Sequence, residues 1–213
     1  MAERKPPRRT RERILETALM LFNRFGEPHI TTADIAAEMG ISPGNLYYHF
    51  RNKNQIIGEL FATFEGRLDA LLVPGGAVAG VEDLWLVLHL LFETMWDYRF
   101  FFRDLDEIVS RDRRLASRFA LILRRGARTV IELCRALVAS GAMRASEREI
   151  AALADNVALV ATYWISYQNI SSGQSAERRA DLDRAAYQVL SLIAPFLLGD
   201  ARALLEGLSR DYV

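Results

Sequence analysis

Three side chains that can donate or accept hydrogen bonds follow one another at Tyr47, Tyr48 and His49, inside the short stretch SPGNLYYHFRNK. A tyrosine ring packs on a thymine methyl group or a sugar, and its hydroxyl group hydrogen-bonds a phosphate or a base edge. The imidazole of His49 and the ammonium group of Lys53 can both donate to phosphate. These residue types in this spacing predict a surface that contacts DNA.

A short helix is needed to present these side chains. Ser42 is suited to an N-cap and Pro43 to the first helical position, so we expect a third helix over about residues 43–49. Such a helix is too short to be stable alone, and it depends on Leu46 and Phe50, four residues apart, facing inward. The tyrosines and the histidine then lie on the outward arc. The alternative, in which each tyrosine is a half-buried packing residue, stays open for either one taken singly.

A second helix precedes this one, and a glycine separates the two. Thr31 with Asp34 three residues on predicts a capping box at its start, and Gly40 predicts its end. Ala36, four residues before Gly40, is the small residue expected where two helices cross in a helix-turn-helix unit. The first turn, at Thr31 and Thr32, offers a further phosphate site.

Helical periodicity continues through the rest of the chain, with no convincing strand alternation. Asn52, with Gln55 three residues on, predicts the cap of a fourth helix that runs to about Leu72. The stretch VPGGAVAG, residues 73–80, is the clearest break, and Pro195 should kink or end the last long helix. Further helices are expected near residues 81–97, 98–109, 111–140, 147–171 and 180–198. The predicted fold class is all-α.

Composition narrows the class of protein. The 213 residues hold 27 basic and 27 acidic side chains, but residues 1–53 carry nine and six of them, so a mildly basic head precedes an acidic body. The single cysteine, Cys134, excludes an intrachain disulfide and fits a reducing compartment. We found neither the apolar segment of a signal peptide nor an apolar run near the ~18 residues of a membrane helix. A cytoplasmic protein without a membrane partner is expected.

No catalytic residue, metal site or cofactor is predicted. Gly40–Gly44 matches the G-x-S-x-G nucleophile motif of hydrolases, but a helix precedes it where a strand is required. The oxyanion hole of that motif uses the N–H of the residue after the serine, and here that residue is Pro43, which has no N–H. The three histidines, His29, His49 and His89, lack metal-ligand spacing.

The segment TTADIAAEMGISPGNLYYHFRNKNQII resembles the DNA-binding segment of the tetracycline-repressor (TetR) family of bacterial transcription regulators. The resemblance covers roughly residues 10–58, and residues 98–109, YRFFFRDLDEIV, are similar to one TetR subgroup with a shared C-terminal domain. It implies a helix-turn-helix DNA-binding domain at 10–58 and a larger helical ligand-binding and dimerisation domain at 59–213. Residues 1–9, before the matched segment, are expected to form a disordered basic arm. The resemblance further implies a homodimer that reads a palindromic operator and releases it on binding a ligand.

The resemblance divides the candidate DNA contacts into three sets. It implies phosphate contacts from Tyr47, His49 and Lys53, proximity to base edges for Gly44, Asn45 and Tyr48, and contacts to the DNA backbone from Thr32 and Ser42. Pro43 departs from relatives that carry a polar base reader there, because proline contributes only shape and apolar contact. Arg4–Arg11 is either an arm that touches the minor groove or phosphates, or a solvated tail.

Aromatic residues concentrate in the second half of the chain, where they either line a pocket for an apolar or aromatic effector or form ordinary core. The candidate ligand-binding residues are Trp85, His89, Phe92, Trp96, Phe101, Tyr163, Trp164 and Tyr167. The expected polar contacts of such a pocket are His89, Arg99, Asn156 and Gln168. Because three consecutive side chains cannot face one way on a helix, at least one ring of Phe100–Phe102 should point to a pocket or an interface.

The helix expected at residues 147–171 is apolar on more than one face. A helix of that kind needs cover on both sides, and a second subunit is the natural cover. With the helix at 180–198 it would form an intersubunit four-helix bundle, as the resemblance implies. Two reading helices about 34–36 Å apart fit successive major grooves of an operator.

The favoured hypothesis is a DNA-binding repressor released from a palindromic double-stranded operator by a small apolar or aromatic effector. Two alternatives remain. A ligand-independent regulator or activator is favoured if the C-terminal core has no cavity. An apolar-ligand carrier or an enzyme on the same fold is favoured if the protein fails to bind DNA at low salt, where phosphate contacts are strongest.

Overall fold

The computed structural model describes residues 7–72, 81–171 and 178–209. Within these residues the secondary structure is helical, apart from an isolated antiparallel bridge between Met143 and Leu197, which confirms the all-α fold class. The helices are α1 Pro7–Phe25, α2 Thr32–Glu38, α3 Pro43–His49, α4 Lys53–Leu71, α5 Val81–Asp97, α6 Phe100–Arg103, α7 Leu105–Arg111, α8 Arg113–Ala139, α9 Glu147–Ser171, α10 Arg178–Ile193 and α11 Gly199–Ser209, with a 3-10 turn at Ala194–Phe196 between the last two.

The turn between α2 and α3 is set by one glycine. The N–H of Ile41 donates to Ala36 O and the N–H of Gly40 donates to Ala37 O, each at 3.0 Å, which is the paired bonding of a Schellman motif. Gly40 has a φ of +64°, in the left-handed region that a side chain disfavours. The predicted glycine turn is therefore present, and it sets the angle at which α3 leaves α2.

The third helix has the predicted bounds, Pro43–His49. Its N-cap is Ser42, whose Oγ accepts a hydrogen bond from Asn45 N at 3.2 Å. Leu46 and Phe50 are fully buried, at 0% exposure. A helix of two turns is thus held by its cap and by two buried side chains, as its length requires.

Two further boundaries were expected near the N-terminal end. Asn52 caps α4 as predicted, because its Oδ1 accepts from Gln55 N at 2.9 Å. Residues 1–6 of the expected disordered arm lie outside the described residues, whereas residues 7–9 are the start of α1 and not part of an arm. A proline suits the first position of a helix, since its missing N–H has no intrahelical partner there. The expected break at 73–80 lies outside the described residues.

The chain divides into two compact units. The first holds the chain up to Gly66 together with Asp97–Ala116, and the second holds Arg67–Trp96 and the chain from Ser117 onward. The boundary expected after residue 58 therefore falls within α4, inside the first unit. The segment 97–116, expected in the C-terminal domain, also belongs to the first unit.

The three consecutive phenylalanines Phe100–Phe102 explain that placement, because all of them are buried in the first unit. Their ring centroids lie 5.2 Å from Phe22, 5.2 Å from Phe61 and 5.7 Å from Phe64, in that order. The expectation that one ring would face a pocket or an interface is wrong. The helix α6 has four residues and is enclosed by α1 and α4, so every direction around it meets the core.

The second unit packs α9 against α10. Its helix ends follow the sequence: α8 stops at Ala139 just before Gly141, whose φ is +77°, and α10 stops at Ile193, two residues before Pro195. The expected end of the last long helix at Pro195 is confirmed. An ion pair joins Arg125 Nη1 to Asp69 Oδ1 at 2.6 Å.

Helix α9 is the only helix of the described residues that is long and apolar enough to cross a membrane. Its most apolar 18 residues have a mean hydropathy of 1.2, and 28% of that stretch is buried. The expectation that no segment approaches such a composition is wrong for this helix. Length and composition alone do not separate a membrane span from a helix covered by protein on both faces.

Candidate nucleic-acid interface and effector cavity

The outward face of α3 consists of side chains that can contact DNA. Tyr47 and Tyr48 are 51% and 81% exposed, whereas Leu46 on the opposite face is fully buried. The remaining predicted contacts of this stretch, Ser42, Pro43, Gly44 and Asn45, are exposed, and His49 is half-buried. The reading that both tyrosines are packing residues is therefore disfavoured, above all for Tyr48.

Two contacts orient the aromatic side chains of α3. The hydroxyl of Tyr47 lies 3.0 Å from Oγ1 of Thr32, and either group can donate. The ring of Tyr48 meets the ring of His49 edge-on, with centroids 5.1 Å apart. The first contact joins α3 to the first turn of α2, so the two helices present one continuous polar surface.

Thr31 is committed to its own helix. Its hydroxyl donates to Asp34 Oδ2 at 2.6 Å, its backbone N–H donates to the same oxygen at 2.8 Å, and Asp34 N donates back to Thr31 Oγ1 at 3.2 Å. These hydrogen bonds lower the pKa of the Asp34 carboxyl group, the Thr31 hydroxyl being the larger cause. The predicted capping box is present. Because the Thr31 hydroxyl donates to Asp34, its proton is not available to a phosphate.

Lys53 also has a different role from the one expected. Its ammonium group donates to the carbonyl oxygens of Glu27 and Ile30, both at 3.0 Å, and lies 2.8 Å from Glu27 Oε1. Its charge and two of its three protons are thus engaged within the protein. The predicted phosphate contact of this side chain is corrected to an internal contact, because the carbonyls of the loop after α1 lie within its reach.

Arg11 is a residue of this region that the sequence analysis missed. Its guanidinium group donates to His49 O at 2.7 Å, lies 4.3 Å from the ring centroid of Phe50, and pairs with Glu59. A cation at the last carbonyls of α3 is also favoured by the helix dipole. The available signal is its position three residues before the buried Ile14, on the same face of α1, whereas the sequence pattern places it in a candidate DNA-binding arm, Arg4–Arg11.

The second unit contains a small cavity between α5, α9 and α10. Its volume is about 10 Å³, which is room for about one water molecule. The lining residues are Phe92, Trp96, Trp164, Ile165, Gln168, Leu182 and Ala185. Three predicted ligand residues therefore converge here with Gln168, one of the expected polar contacts, and none of the seven side chains is charged.

The other five predicted ligand residues lie elsewhere. Phe101 belongs to the core of the first unit, as described above. His89 is half-buried, and both ring nitrogens have partners: Nδ1 lies 3.0 Å from Trp85 O and Nε2 lies 3.3 Å from Asp183 Oδ1. Its ring centroid lies 4.0 Å from that of Trp85. Tyr163 and Tyr167 are exposed on the outer face of α9. Of the other expected polar contacts, Asn156 is exposed and Arg99 lies in the first unit.

The outer face of α9 is unusually apolar for a surface. Leu159 is 59% and Ile170 87% exposed, and Tyr163 and Tyr167 lie between them at helical spacing. The opposite side of the helix, including Leu153 and Val157, is buried. The expectation of a helix that is apolar on two faces is therefore correct for this chain.

Among the residues that the structure describes, no group of three or more His, Cys, Asp or Glu side chains could hold a metal ion. Two short helices joined by a glycine turn, with polar and aromatic side chains exposed on the second, instead form a helix-turn-helix of the DNA-binding type. The fold thus defines a class: an all-α protein with an N-terminal helix-turn-helix and a larger helical body.

Comparison with known families identifies the chain more closely. A family model described as "Bacterial regulatory proteins, tetR family" matches residues 14–60, and one described as "TetR: Bacterial transcriptional repressor" matches residues 63–205. The second match alone covers more than half of the chain. The chain therefore belongs to the TetR family of bacterial transcriptional regulators, as the resemblance of its reading segment implied.

Individual relatives agree with this assignment. The crystal structure of a TetR-family transcriptional regulator from Marinobacter aquaeolei VT8 is 36% identical, with a TM-score of 0.86 over 95% of this chain and 98% of that one. The transcriptional regulator AcrR of Shigella flexneri is 27% identical over 42% of this chain and 44% of its own length. The nucleoid occlusion factor SlmA of Escherichia coli O1:K1 is 41% identical over 32% of this chain and 35% of its own. The matches thus span less than half the length of these two curated relatives.

Proposed function

We propose that this protein is a homodimeric repressor that binds a palindromic operator through α3 of each subunit and is released by a small-molecule effector. The observation that carries the proposal is the two-faced α3: Tyr48 is 81% exposed, while Leu46 on the same helix and Phe50, its C-cap, are fully buried. Tyr47, 51% exposed, lies beside Tyr48, so the exposed face of α3 carries two tyrosines among polar groups, which suits contacts to sugars, phosphates and base edges. Double-stranded DNA fits these rings, their polar neighbours and the family of the chain.

Within this proposal, some side chains contact base edges and others contact phosphates. Gly44, Asn45 and Tyr48 read base edges, and Pro43 adds only apolar contact at the start of the helix. The phosphate contacts come from Tyr47 and His49, and from the hydroxyls of Ser42 and Thr32. Phosphates near α4 are bound by backbone N–H groups at its first turn and not by the Lys53 side chain.

The outer face of α9 is the proposed dimer interface. An apolar stripe on this face consists of Leu159, Tyr163, Tyr167 and Ile170. A second copy of the chain covers it, so that α9 and α10 of both copies form a four-helix bundle. Dimerisation matters for DNA binding because it places two reading helices at the spacing of a palindromic operator. A chain that works on DNA in this way is expected in the bacterial cytoplasm, and the proposal assigns it no catalytic residue.

The proposed effector enters between α5, α9 and α10. Its class follows from the lining: the aromatic side chains Phe92, Trp96 and Trp164 favour an apolar or aromatic molecule, and Gln168 supplies one hydrogen-bonding group. Without a charged side chain in the lining, an ionised ligand would lose its hydration uncompensated. The effector must therefore be neutral. It releases DNA only if it binds the form with mismatched reading helices more tightly than the operator-bound form.

Selection of genomic fragments by the purified protein tests the DNA-binding part. We expect enrichment of a palindrome whose half-sites lie one helical turn or a multiple apart, with two subunits bound per site. A protein that retains no duplex at low salt would contradict the proposal and favour the carrier or enzyme alternative.

A regulator without a small ligand is the second candidate, because the cavity holds only about 10 Å³, whereas ligand pockets usually have some hundreds. Binding would require the helices around the cavity to move apart. A matched set of p-cresol, benzoate and benzyltrimethylammonium separates the candidates. Release of the selected operator by the neutral compound alone supports the effector proposal. Release by none of them, with tryptophan fluorescence unchanged, favours the ligand-independent regulator.

A further inference from the structure

A fully buried carboxylate lies beside the helix-turn-helix. Glu27, in the loop between α1 and α2, has 0% exposure and lies between two cations. Lys53 Nζ is 2.8 Å from its Oε1, and the guanidinium group of Arg111 pairs with its Oε2. All three residues belong to the first compact unit.

The buried group is not one that stability alone would select. Within the described residues, Oε1 of Glu27 receives no hydrogen bond of good geometry, although Lys53 neutralises its charge. Taking this carboxylate and most of the Lys53 side chain out of water costs free energy, which their attraction and that of the more exposed Arg111 often do no more than offset. An apolar side chain of similar volume would fill the site at lower cost, so the ionic group calls for another explanation.

The connections of Glu27 supply that explanation. Lys53 is the first residue of α4, and it donates to the carbonyls of Glu27 and of Ile30, the residue before the N-cap of α2. It therefore holds the start of α2 and the start of α4 together, and α3 lies between those two points along the chain. Glu27 in turn fixes the position of the Lys53 ammonium group.

The other side of Glu27 faces the segment 100–111. Arg111, which pairs with it, is the last residue of α7, and the backbone N–H of Glu27 donates to Asp104 Oδ2 at 3.0 Å. Close by, Arg103 Nη2 donates to Phe22 O at 2.8 Å, at the end of α1. The segment 100–111 is thus attached at two points to Glu27, in the loop that precedes the reading helices, and at a third point to the end of α1.

We propose that Glu27 is a positioning residue for operator binding, which acts through Lys53 on the placement of α3 and through Arg111 links that placement to α7. The inference rests on the proposed function, since it needs a specific operator. It assigns the DNA-binding head a dependence on α7, a helix that touches no DNA in this proposal.

Charge gives this inference a sharp test. Glu27→Gln removes a negative charge from the head, and by long-range attraction alone it should leave DNA binding unchanged or strengthen it. A positioning role predicts the opposite: affinity for the selected operator falls by about 5-fold or more, a usual size for coupling between sites. Glu38→Gln is the matched control, because Glu38 is an exposed acid of α2 with the same change of charge. Equal operator affinities of the two variants would overturn the inference.

Arg111→Met separates the link to α7 from the local pair of Glu27 and Lys53. We expect it to weaken operator binding more than Arg114→Met, which removes an equal charge from an exposed position three residues on. If the two variants bind alike, α7 has no part in positioning. This pair of variants also keeps the inference testable if Glu27→Gln does not fold.

A merely structural role is distinguished by binding to random-sequence DNA at low salt, measured well below the melting temperature of each variant. Misplaced reading helices lower operator affinity but leave the binding to random DNA close to that of wild type. Parallel loss on both DNAs would show that the substitution only reduces the folded fraction, which overturns a positioning role. A wild-type protein with no specific operator would overturn the proposed function itself, whereas wild-type-like binding by Glu27→Gln and Arg111→Met overturns only this inference.

Discussion

The hydroxyl of Tyr47 on α3 and Oγ1 of Thr32 on α2 lie 3.0 Å apart. The contact joins the first turn of one helix to the middle of the next, across the Gly40 turn. A seven-residue helix has almost no stability of its own, so such contacts decide how α3 is presented. One hydroxyl proton is used in this contact, and the other remains available to donate to a phosphate oxygen.

Tyr47→Phe should weaken operator binding while leaving the fold intact. The hydroxyl is exposed, and a hydrogen bond of this kind contributes about 0.5–1.5 kcal/mol, so we expect an increase in Kd of about 2- to 12-fold. Thr32→Val, which removes the other partner, should give a similar loss. In a double-mutant cycle the two losses should not add. Full additivity of the two changes would show that the contact has no role in the complex.

Tyr48→Ala should lower specific affinity without changing stability, because the side chain is 81% exposed. Loss of one base-reading side chain costs about 1–3 kcal/mol, which corresponds to an increase of about 5- to 150-fold in Kd for the operator. Binding to random DNA should change little. Fluorescence anisotropy with each DNA gives the two Kd values, and their ratio measures specificity. An unchanged operator Kd would show that Tyr48 is not part of the reading surface.

Leu159→Glu should convert the dimer to a monomer that remains helical. The side chain is already 59% exposed in one chain, so the charge costs little in the monomer but is buried in the proposed interface. Light scattering after gel filtration gives the mass, and circular dichroism gives the helix content. Leu121→Glu, at an exposed position of α8, is the control and should remain dimeric. A dimeric Leu159→Glu would place the interface elsewhere.

The fully buried Cys134 predicts a loss of stability at alkaline pH. Desolvation raises the pKa of its thiol from 9.0 to about 11, so the unfolded chain loses this proton before the folded one does. The contribution of the thiol to stability is complete below pH 9 and is lost as the pH rises towards 11. Urea unfolding at these two pH values should therefore show a larger fall for wild type than for Cys134→Ala. Equal falls would mean that the thiol is not desolvated.

The local structure of the helix-turn-helix was predictable because the signals act between neighbours in sequence. Ser42, Asn52 and Thr31 cap helices through bonds to residues three positions on, and Gly40 ends α2 through its own backbone conformation. The inward face of α3 likewise follows from the four-residue spacing of Leu46 and Phe50.

The roles of polar side chains were less predictable, because they depend on partners that are distant in sequence. Lys53 was expected at a phosphate, but Glu27, 26 residues earlier, engages it. Phe101 was expected in a ligand pocket, but it packs on Phe61 in the first unit. The type of a charged or aromatic residue does not identify its contact partner, because the sequence contains several equally suitable partners.

By itself, the sequence determined the helical class, the bounds of α3, the exposed tyrosine face and the membership of the family. The helical class, the bounds of α3 and its exposed face depend on contacts within about two helical turns, where the geometry is set by the chain itself. Only the tertiary structure decided that Arg11 closes the end of α3, that Glu27 links Lys53 to Arg111, and which three aromatic residues surround the cavity. Those pairings arise when helices far apart in sequence pack together, because burial then forces each charge to find a partner.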